Sequence, residues 1–396
     1  MAGEVAGAWP GFSAREMWPG FSPGEMERRW GALLGMLGEQ SVDACLVYGA
    51  ERAGSAVPWL TGWPVTREAA LLVRAGEPGV MFVCYDNHVP SARGMARGVE
   101  VRPGGSSALA AALDWAGSSG SRVRRLGVIG AAPARWWPAL AGVAGGVVFL
   151  DAEYSELRLV KSAAEIEWLR RGAAMSDDAV GALAAAARPG MTEAECHAAL
   201  ESAYIAAGGL THIHYLGATP MAEPRLCVPA QWASSRRLAG GDALSCEISA
   251  SYQGYPGQVL RTFAIAADPL PRYRDMHDVA EAAFDAVIAR LRPGVTAGEL
   301  TETAAGVILG AGYTIYDDLM HGYGGGYLPP VVSRASLEAR SAPDFTFAAG
   351  MTVVIQPNVI TTDERAGVQT GELMLITESG SESLHRYPRG FARVGG

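Results

Sequence analysis

The chain has 396 residues and a net charge of −9, and 49% of its residues are hydrophobic. A chain of this length predicts two domains with large buried cores. The acidic balance argues against nucleic acid as the main partner, because phosphate binding needs clustered lysine and arginine. No apolar run reaches the roughly 18 residues that span a bilayer, and residues 1–26 lack the pattern of a secretory signal. We therefore expect a cytoplasmic protein without a membrane partner.

The cysteines give no sign of a disulfide framework or of structural zinc. Their number is odd, they are widely spaced, and none forms a CxxC pair. Reduced thiols in a cytoplasmic protein are the simplest interpretation. The five are Cys45, Cys84, Cys196, Cys227 and Cys246.

The N-terminal third predicts an α/β domain behind a short extension. WPGFSAREM (residues 9–17) is followed directly by WPGFSPGEM (18–26). This local duplication predicts a flexible N-terminal extension over residues 1–26. From residue 27 to 155, strands such as VDACLVYG alternate with helices such as SALAAALDWAG. That alternation predicts a largely buried sheet.

Residues 156–396 predict an α+β domain. Ser162 with Glu165, and Thr192 with Glu195, have the spacing of capping boxes that begin helices. DALSCEISASYQGYPGQVLRTFAIA then alternates as two strands around a glycine-rich turn, a helical pair follows, and the C-terminal end is rich in strands. Helices on one face of a curved antiparallel sheet account for this order.

Six segments of this second domain carry a resemblance to a known family. They are RLVKSAAEIEWLRRGAAMSDDAV, RPGMTEAE, GDALSCEISASYQGYPGQVLRTFAI, MHGYG, FAAGMTVVIQP and GVQTGELMLITESGSESL. In this order they resemble the pita-bread enzymes: creatinase, prolidase, aminopeptidase P and methionine aminopeptidase. The N-terminal α/β domain makes the likeness closest to creatinase and prolidase. The resemblance implies a creatinase-like two-domain protein with a ribonuclease H-like N-terminal domain, a C-terminal pita-bread domain and a homodimeric state.

The metal-ligand positions of that family are altered in this chain. The family's metal enzymes use two aspartates, one histidine and two glutamates, and the resemblance places Glu247, Gln258, His321, Gln356 and Gly371 there. Divalent cations about 3.5 Å apart need several anionic oxygens to offset their repulsion. We therefore predict no metal and no cofactor. An alternative metal cluster of His212, His214 and His321 stays open.

The remaining polar residues provide candidates for catalysis and for substrate binding. His321 is the main acid/base candidate, because imidazole titrates near neutrality. A buried Glu247 would have a raised pKa and could also transfer protons, or it could form an ion pair with Arg261. Arg261 could instead bind a substrate carboxylate. The candidate substrate-binding residues are His212, His214, Tyr255, Gln258, Arg261, Tyr323, Tyr327 and Gln356.

The sequence leaves three functions open. The preferred one is a metal-independent, creatinase-like enzyme that cleaves a C–N bond, or performs a related elimination or cyclisation, on a small amino-acid-derived substrate in bacterial secondary metabolism. Creatine itself is not expected, because Ala230 or Gln231 stands where creatinase has its catalytic histidine, and Leu260 replaces a glutamate. The alternatives are a non-catalytic module that binds peptide or protein, and an Xaa-Pro-type metallopeptidase with substituted ligands.

Overall fold

The computed structural model describes residues 18–51, 54–118 and 123–396, and the chain divides into two compact units, residues 1–158 and 159–396. The first copy of the WPGFS duplication lies outside the described residues. In the second copy, the Ser22 hydroxyl accepts a hydrogen bond from the Glu25 backbone N–H and caps a helix that begins at Pro23. Residues 23–26, the end of the predicted extension, therefore belong to the first helix.

The described strands of the first unit form a six-stranded mixed sheet in the order β4-β3-β2-β1-β5-β6. Its central strand β1 runs antiparallel to β2 and parallel to β5. Apolar clusters cover both faces of the sheet, which explains the unbroken apolar run of β1. The elements are α1 (Pro23–Glu39), β1 (Ala44–Ala50), α2 (Ala56–Thr61), β2 (Glu68–Arg74), β3 (Gly79–Val83), α3 (Val89–Met95), β4 (Val99–Pro103), α4 (Ala108–Ser118), β5 (Leu126–Ile129), α5 (Trp137–Val143), β6 (Val147–Phe149) and α6 (Asp151–Leu157).

The described strands of the second unit form a large sheet in the order β12-β11-β13-β16-β9-β8-β7, with β17 and β18 on β16 and β9, and a small sheet in the order β10-β14-β15. The elements are α7 (Ala163–Ala186), α8 (Glu193–Ser202), β7 (Leu210–Pro220), β8 (Asp242–Tyr252), β9 (Tyr255–Ile265), α9 (Pro271–Ile288), α10 (Ala297–Ile308), β10 (Thr314–Ile315), β11 (Met320–Tyr323), β12 (Tyr327–Val332), α11 (Arg334–Glu338), β13 (Thr352–Ile355), β14 (Asn358–Ile360), β15 (Gly367–Gln369), β16 (Gly371–Ile376), β17 (Ser381–Ser383) and β18 (Ala392–Val394). Among the described helices, none is long and apolar enough to cross a membrane.

Both predicted capping boxes are confirmed. At the start of α7 the Glu165 backbone N–H donates to Ser162 Oγ (3.2 Å), and the Ser162 backbone N–H donates to Glu165 Oε2 (3.0 Å). Thr192 and Glu195 make the same pair of bonds at the start of α8. Each pair satisfies two backbone donors that a helix N-terminus would otherwise leave without partners.

Close packing of α7 on the β8–β9 hairpin decides which sheet face carries polar groups. A Cβ added at Gly172 would lie 2.2 Å from the Tyr255 carbonyl oxygen, and one at Gly257 would lie 2.2 Å from the Ala173 Cα, so only glycine fits at either position. Ile248 and Val259 point towards this helix side and join its apolar cluster. Because strand side chains alternate, the immediate neighbours of Ile248 and Val259 along each strand point to the opposite face. That face holds the candidate site.

Candidate functional site

Five buried polar side chains, which we call the polar cluster, meet on the sheet face away from α7. They come from β8, β9 and β11 and from the residue after β13, and none is more than 2% exposed. Ser249 and Gln258 lie directly opposite each other in the β8–β9 pairing. The members of the polar cluster are Glu247, Ser249, Gln258, His321 and Gln356.

Hydrogen bonds and ring contacts connect these side chains. Gln258 Nε2 donates to Glu247 Oε1 (2.6 Å) and to Gln356 Oε1 (3.1 Å). His321 Nδ1 lies 3.2 Å from the Gly322 carbonyl oxygen, and this contact assigns its proton to Nδ1. The Tyr327 ring stacks on the imidazole with 3.9 Å between centroids, while Tyr323 meets it edge-on at 5.3 Å. The sequence-predicted Gln258, His321, Gln356, Tyr323 and Tyr327 are therefore brought together.

Burial makes the polar cluster electrically neutral near pH 7. Desolvation raises the pKa of Glu247 to about 8, and the negative charges of Asp317 and Asp318 add to that effect. Desolvation lowers the pKa of His321 to about 4 against the opposing contacts with Gly322 and Gln356. Between these values Glu247 is protonated and His321 is neutral. The carboxyl can then donate a proton and the imidazole Nε2 can accept one.

Four residues at this site were not singled out from the sequence. Ser249 lies two residues after Glu247, so strand alternation alone would have placed it on the same face. Tyr215 lies opposite Glu247 in the β7–β8 pairing, and desolvation together with that carboxyl raises its pKa. Asp317 and Asp318 precede β11, and burial raises the pKa of both, that of Asp318 to about 6. No local pattern indicated these last three.

Arg261 has a structural position, which corrects its predicted role as a fork for a substrate carboxylate. The guanidinium is 1% exposed, and its Nη2 donates to Glu372 Oε1 at 2.6 Å. Its other hydrogen bonds go to backbone carbonyl oxygens of residues 260, 371, 387 and 388. The five N–H groups of the guanidinium are thus all used. Arg261 also does not pair with Glu247, the other role considered from the sequence.

Tyr255 and His214 also lie away from the polar cluster, which corrects their predicted roles. The Tyr255 hydroxyl donates to Glu165 Oε1 (2.9 Å) at the start of α7, on the helix side of the sheet. His214 Nε2 lies 2.7 Å from the Tyr204 hydroxyl, and its Nδ1 lies 2.6 Å from the Ile213 carbonyl oxygen. An irregularity between Thr211 and Ile213 separates the two histidines of the HIH motif.

His212 lies at that irregularity. Its ring is edge-on to Tyr323 with 5.9 Å between centroids, so it borders the polar cluster at the start of β7. The structure therefore does not assemble His212, His214 and His321 into one cluster. In the part of the chain that the structure describes, no group of three or more histidine, cysteine, aspartate and glutamate residues could hold a metal ion.

The five positions that correspond to family metal ligands do not fit a pair of divalent cations. The amide of Gln258 directs its hydrogens at Glu247 Oε1 and Gln356 Oε1, which are oxygens that a cation would need. At the fifth position, a Cβ on Gly371 would lie 2.8 Å from the Ile355 carbonyl oxygen and 2.9 Å from the Gln356 Cα. A glutamate side chain has no room there without movement of the backbone.

Comparison with known proteins identifies the family. The model of metallopeptidase family M24 matches residues 167–378, more than half of the chain. The chain belongs to metallopeptidase family M24. It is 25% identical to the uncharacterized peptidase YqhT of Bacillus subtilis over 366 residues, which cover 90% of this chain and 97% of YqhT. It is also 25% identical to the Xaa-Pro dipeptidase of Pyrococcus horikoshii over 240 residues, 61% of this chain and 66% of that protein.

The fold of this chain is similar to that of a solved dipeptidase structure. Dipeptidase PepE from Mycobacterium ulcerans superposes with a TM-score of 0.78 at 24% identity, over 96% of this chain and 100% of PepE. At that identity the likeness shows the fold alone. The resemblance to the pita-bread proteins and the predicted fold class are confirmed.

These comparisons overturn the function preferred from the sequence. The relatives are dipeptidases and peptidases of a metallopeptidase family, so the prediction of a metal-independent, creatinase-like enzyme is wrong. The Xaa-Pro peptidase alternative agrees better with them. They make this chain an enzyme of the hydrolase class. The error arose because the altered ligand positions were given more weight than the likeness of the whole chain to peptidases.

Proposed function

We propose that this M24 family member hydrolyses the amide bond of a dipeptide or a dipeptide-like molecule. The observation that carries the proposal is the similarity to peptidase YqhT, which extends over 90% of the chain and thus over both units. The Xaa-Pro dipeptidase of Pyrococcus horikoshii and the dipeptidases PepE support the same substrate class. In this proposal the substrate lies against the polar cluster, where His321 and Glu247 contact the reacting amide.

The experiment measures release of free amino acids from matched dipeptides by the purified full chain. Each Xaa-Pro dipeptide is paired with the corresponding Xaa-Ala dipeptide, and both are tested with protein as isolated, after chelation, and after incubation with Mn²⁺ or Co²⁺. We expect hydrolysis of at least one dipeptide. His321→Ala should lower that rate by at least about 100-fold, since a positioned acid/base group contributes about that much. His88→Ala, in the first unit, is the matched control and should keep the wild-type rate.

The result that contradicts the proposal is the absence of product from every dipeptide in all three conditions. An unchanged rate in folded His321→Ala would separately remove the role assigned to His321. Circular dichroism on both variants establishes that they are folded before rates are compared.

A second candidate function is peptide binding without turnover. The observation that favours it is the replacement of carboxylates by the Gln258 and Gln356 amides and by Gly371 in the polar cluster region. Calorimetric titration with the same dipeptides separates the two functions. Dipeptide binding without product in any of the three conditions would support the binding function and contradict hydrolysis.

A further inference from the structure

Five buried polar atoms around the polar cluster have no hydrogen-bond partner among the described residues. The side chains that carry them are all 0% exposed. A buried polar group without a partner costs about 1–3 kcal/mol, and native structures contain few such groups. Their concentration at one place indicates a surface that binds a polar ligand. The atoms are Ser249 Oγ, Gln258 Oε1, His321 Nε2, Tyr323 Oη and Gln356 Nε2.

These groups are neighbours of one another, but they do not satisfy each other. The Gln356 amide raises the pKa of His321, and the Ser249 hydroxyl lowers that of Tyr323, so each pair is in close proximity. The contact within each pair is too weak to satisfy its atoms, and none of the four atoms has another partner among the described residues. The hydrogen-bonding capacity of these atoms is therefore available to a ligand.

The two glutamines define which ligand chemistry fits. Gln258 Nε2 already donates hydrogen bonds to Glu247 Oε1 and Gln356 Oε1. The atoms left for a ligand are therefore Gln258 Oε1 and Gln356 Nε2. The first atom only accepts hydrogen bonds and the second only donates them. A matching ligand must present both a donor and an acceptor. An amide with an N–H does so, whereas a tertiary amide has no donor, and a carboxylate has none either.

Charge also discriminates between ligands. Arg261, the nearest buried guanidinium in the β8–β9 hairpin, is fully engaged by Glu372 and by backbone carbonyls, so it does not neutralise an anion at the polar cluster. An anionic ligand group buried there would lose its hydration without a compensating cation, and it would also be repelled by the carboxylates of Asp317 and Asp318. The polar cluster therefore disfavours an anionic ligand such as a carboxylate.

We infer that the polar cluster binds an uncharged amide that retains its N–H, with the carbonyl oxygen on Gln356 Nε2 and the N–H on Gln258 Oε1. The inference rests on the proposed function in taking this amide as part of the substrate. It narrows the substrate class, because the bond before proline has no N–H. The preferred substrate is thus a peptide with an ordinary secondary amide, in contrast to the Xaa-Pro class named for some relatives.

Tyr327 covers this binding surface. Its ring stacks on His321 at 3.9 Å, and it is 46% exposed whereas the imidazole beneath it is 0% exposed. Tyr327 directly follows Gly325 and Gly326, whose φ angles of 67° and 118° are disfavoured for other residues. The ligand reaches the polar cluster when the Tyr327 ring moves off the imidazole.

The decisive experiment compares three small probes of nearly equal size on the full chain by ligand-observed NMR titration. Pyrrolidin-2-one has a carbonyl and an N–H, N-methylpyrrolidin-2-one lacks the N–H, and pyrrolidine is a cation without a carbonyl. We expect the first to bind at least about tenfold more tightly than the other two, because each of them leaves a buried group unpaired. Equal affinities, or no binding of any probe, would overturn the inference.

Variants test the same contact from the protein side. Gln356→Glu replaces the donor Nε2 with an acceptor of the same size and should weaken binding of pyrrolidin-2-one by at least about tenfold. Gln253→Glu, in the turn between β8 and β9, makes the same charge change as a control and should bind as the wild type does. Unchanged binding by folded Gln356→Glu would contradict the contact assigned to Gln356 Nε2. The probe series on the wild-type chain decides the question even if that variant does not fold. Because binding needs no turnover, failure here is distinguishable from failure of dipeptide hydrolysis.

The covering role of Tyr327 has its own test. Tyr327→Ala should increase the rate at which diethyl pyrocarbonate modifies His321 by about tenfold, because it removes a stacked ring and exposes the imidazole. Tyr327→Phe keeps the stacked ring and should react at the wild-type rate. Peptide mass spectrometry resolves His321 from the other histidines, and His88 provides an internal reference. Equal rates at His321 in all three proteins would show that Tyr327 does not cover the site.

Discussion

Replacing Arg261 with alanine is expected to lower the free energy of unfolding by about 3–5 kcal/mol, because it leaves a buried carboxylate without its partner. Arg261 is 1% exposed and donates to Glu372 Oε1 at 2.6 Å. The same substitution removes one donor each from the backbone carbonyls of Gly371, Tyr387 and Pro388. Urea unfolding followed by circular dichroism measures the loss.

Two comparisons separate a buried-charge effect from the loss of side-chain packing. Arg261→Met combined with Glu372→Met removes both charges and should cost less than Arg261→Ala alone. Arg170→Ala breaks the exposed pair with Glu382 and should change the free energy of unfolding by only about 0–1 kcal/mol. A loss below about 1 kcal/mol in Arg261→Ala would show that this ion pair does not support the sheet.

Acidification should destabilise the folded chain through His214. Burial lowers the pKa of His214 from its ordinary value of 6.5 to about 4 in the folded state. The contribution of neutral His214 to the free energy of unfolding is complete above the unfolded pKa. It is lost as pH falls from 6.5 towards 4, because the imidazole takes up its proton in the unfolded chain first. At about 1.4 kcal/mol per pKa unit, the loss at pH 4 is about 3 kcal/mol.

The measurement is the pH dependence of the free energy of unfolding between pH 7 and pH 4. His214→Gln removes the titrating ring, so its stability should fall by about 3 kcal/mol less than that of the wild type over this range. Other groups near His214, among them His197, Glu201 and His212, are the same in both proteins. His88→Gln, which makes the same substitution in the first unit, is the matched control. Parallel slopes for wild type and His214→Gln would contradict the assignment.

The fold was largely predictable because its signals are local. The capping boxes at Ser162 and Thr192 and the alternation along the β8–β9 hairpin are patterns within a few residues, and the structure contains them. The WPGFS repeat suggested an extension over residues 1–26, and the first helix overlaps the last four of these residues. Ser22 followed by Pro23 was the local signal for the true start.

The site was less predictable because it depends on pairing between distant strands. Arg261 and Tyr255 each lie three residues from Gln258 on the same strand. Alternation therefore already places both of them on the face opposite to Gln258. That parity could have excluded Tyr255 and Arg261 from the polar cluster. His212 and His214 were expected on one strand face because the irregularity at His212 leaves no mark in the sequence. Tyr215 and Asp317 approach Glu247 only through the register and loops of the folded sheet.

The backbone around Gly371 has consequences for how this lineage can change. A Cβ atom at this position would lie only 2.8 Å from the Ile355 carbonyl oxygen and 2.9 Å from Leu260 Cδ1. A single codon change from glycine to glutamate would therefore meet a steric barrier before it could add a carboxylate beside the polar cluster. Compensating substitutions in the neighbouring strands must come first, so adding a glutamate there takes several steps in evolution and in protein engineering alike.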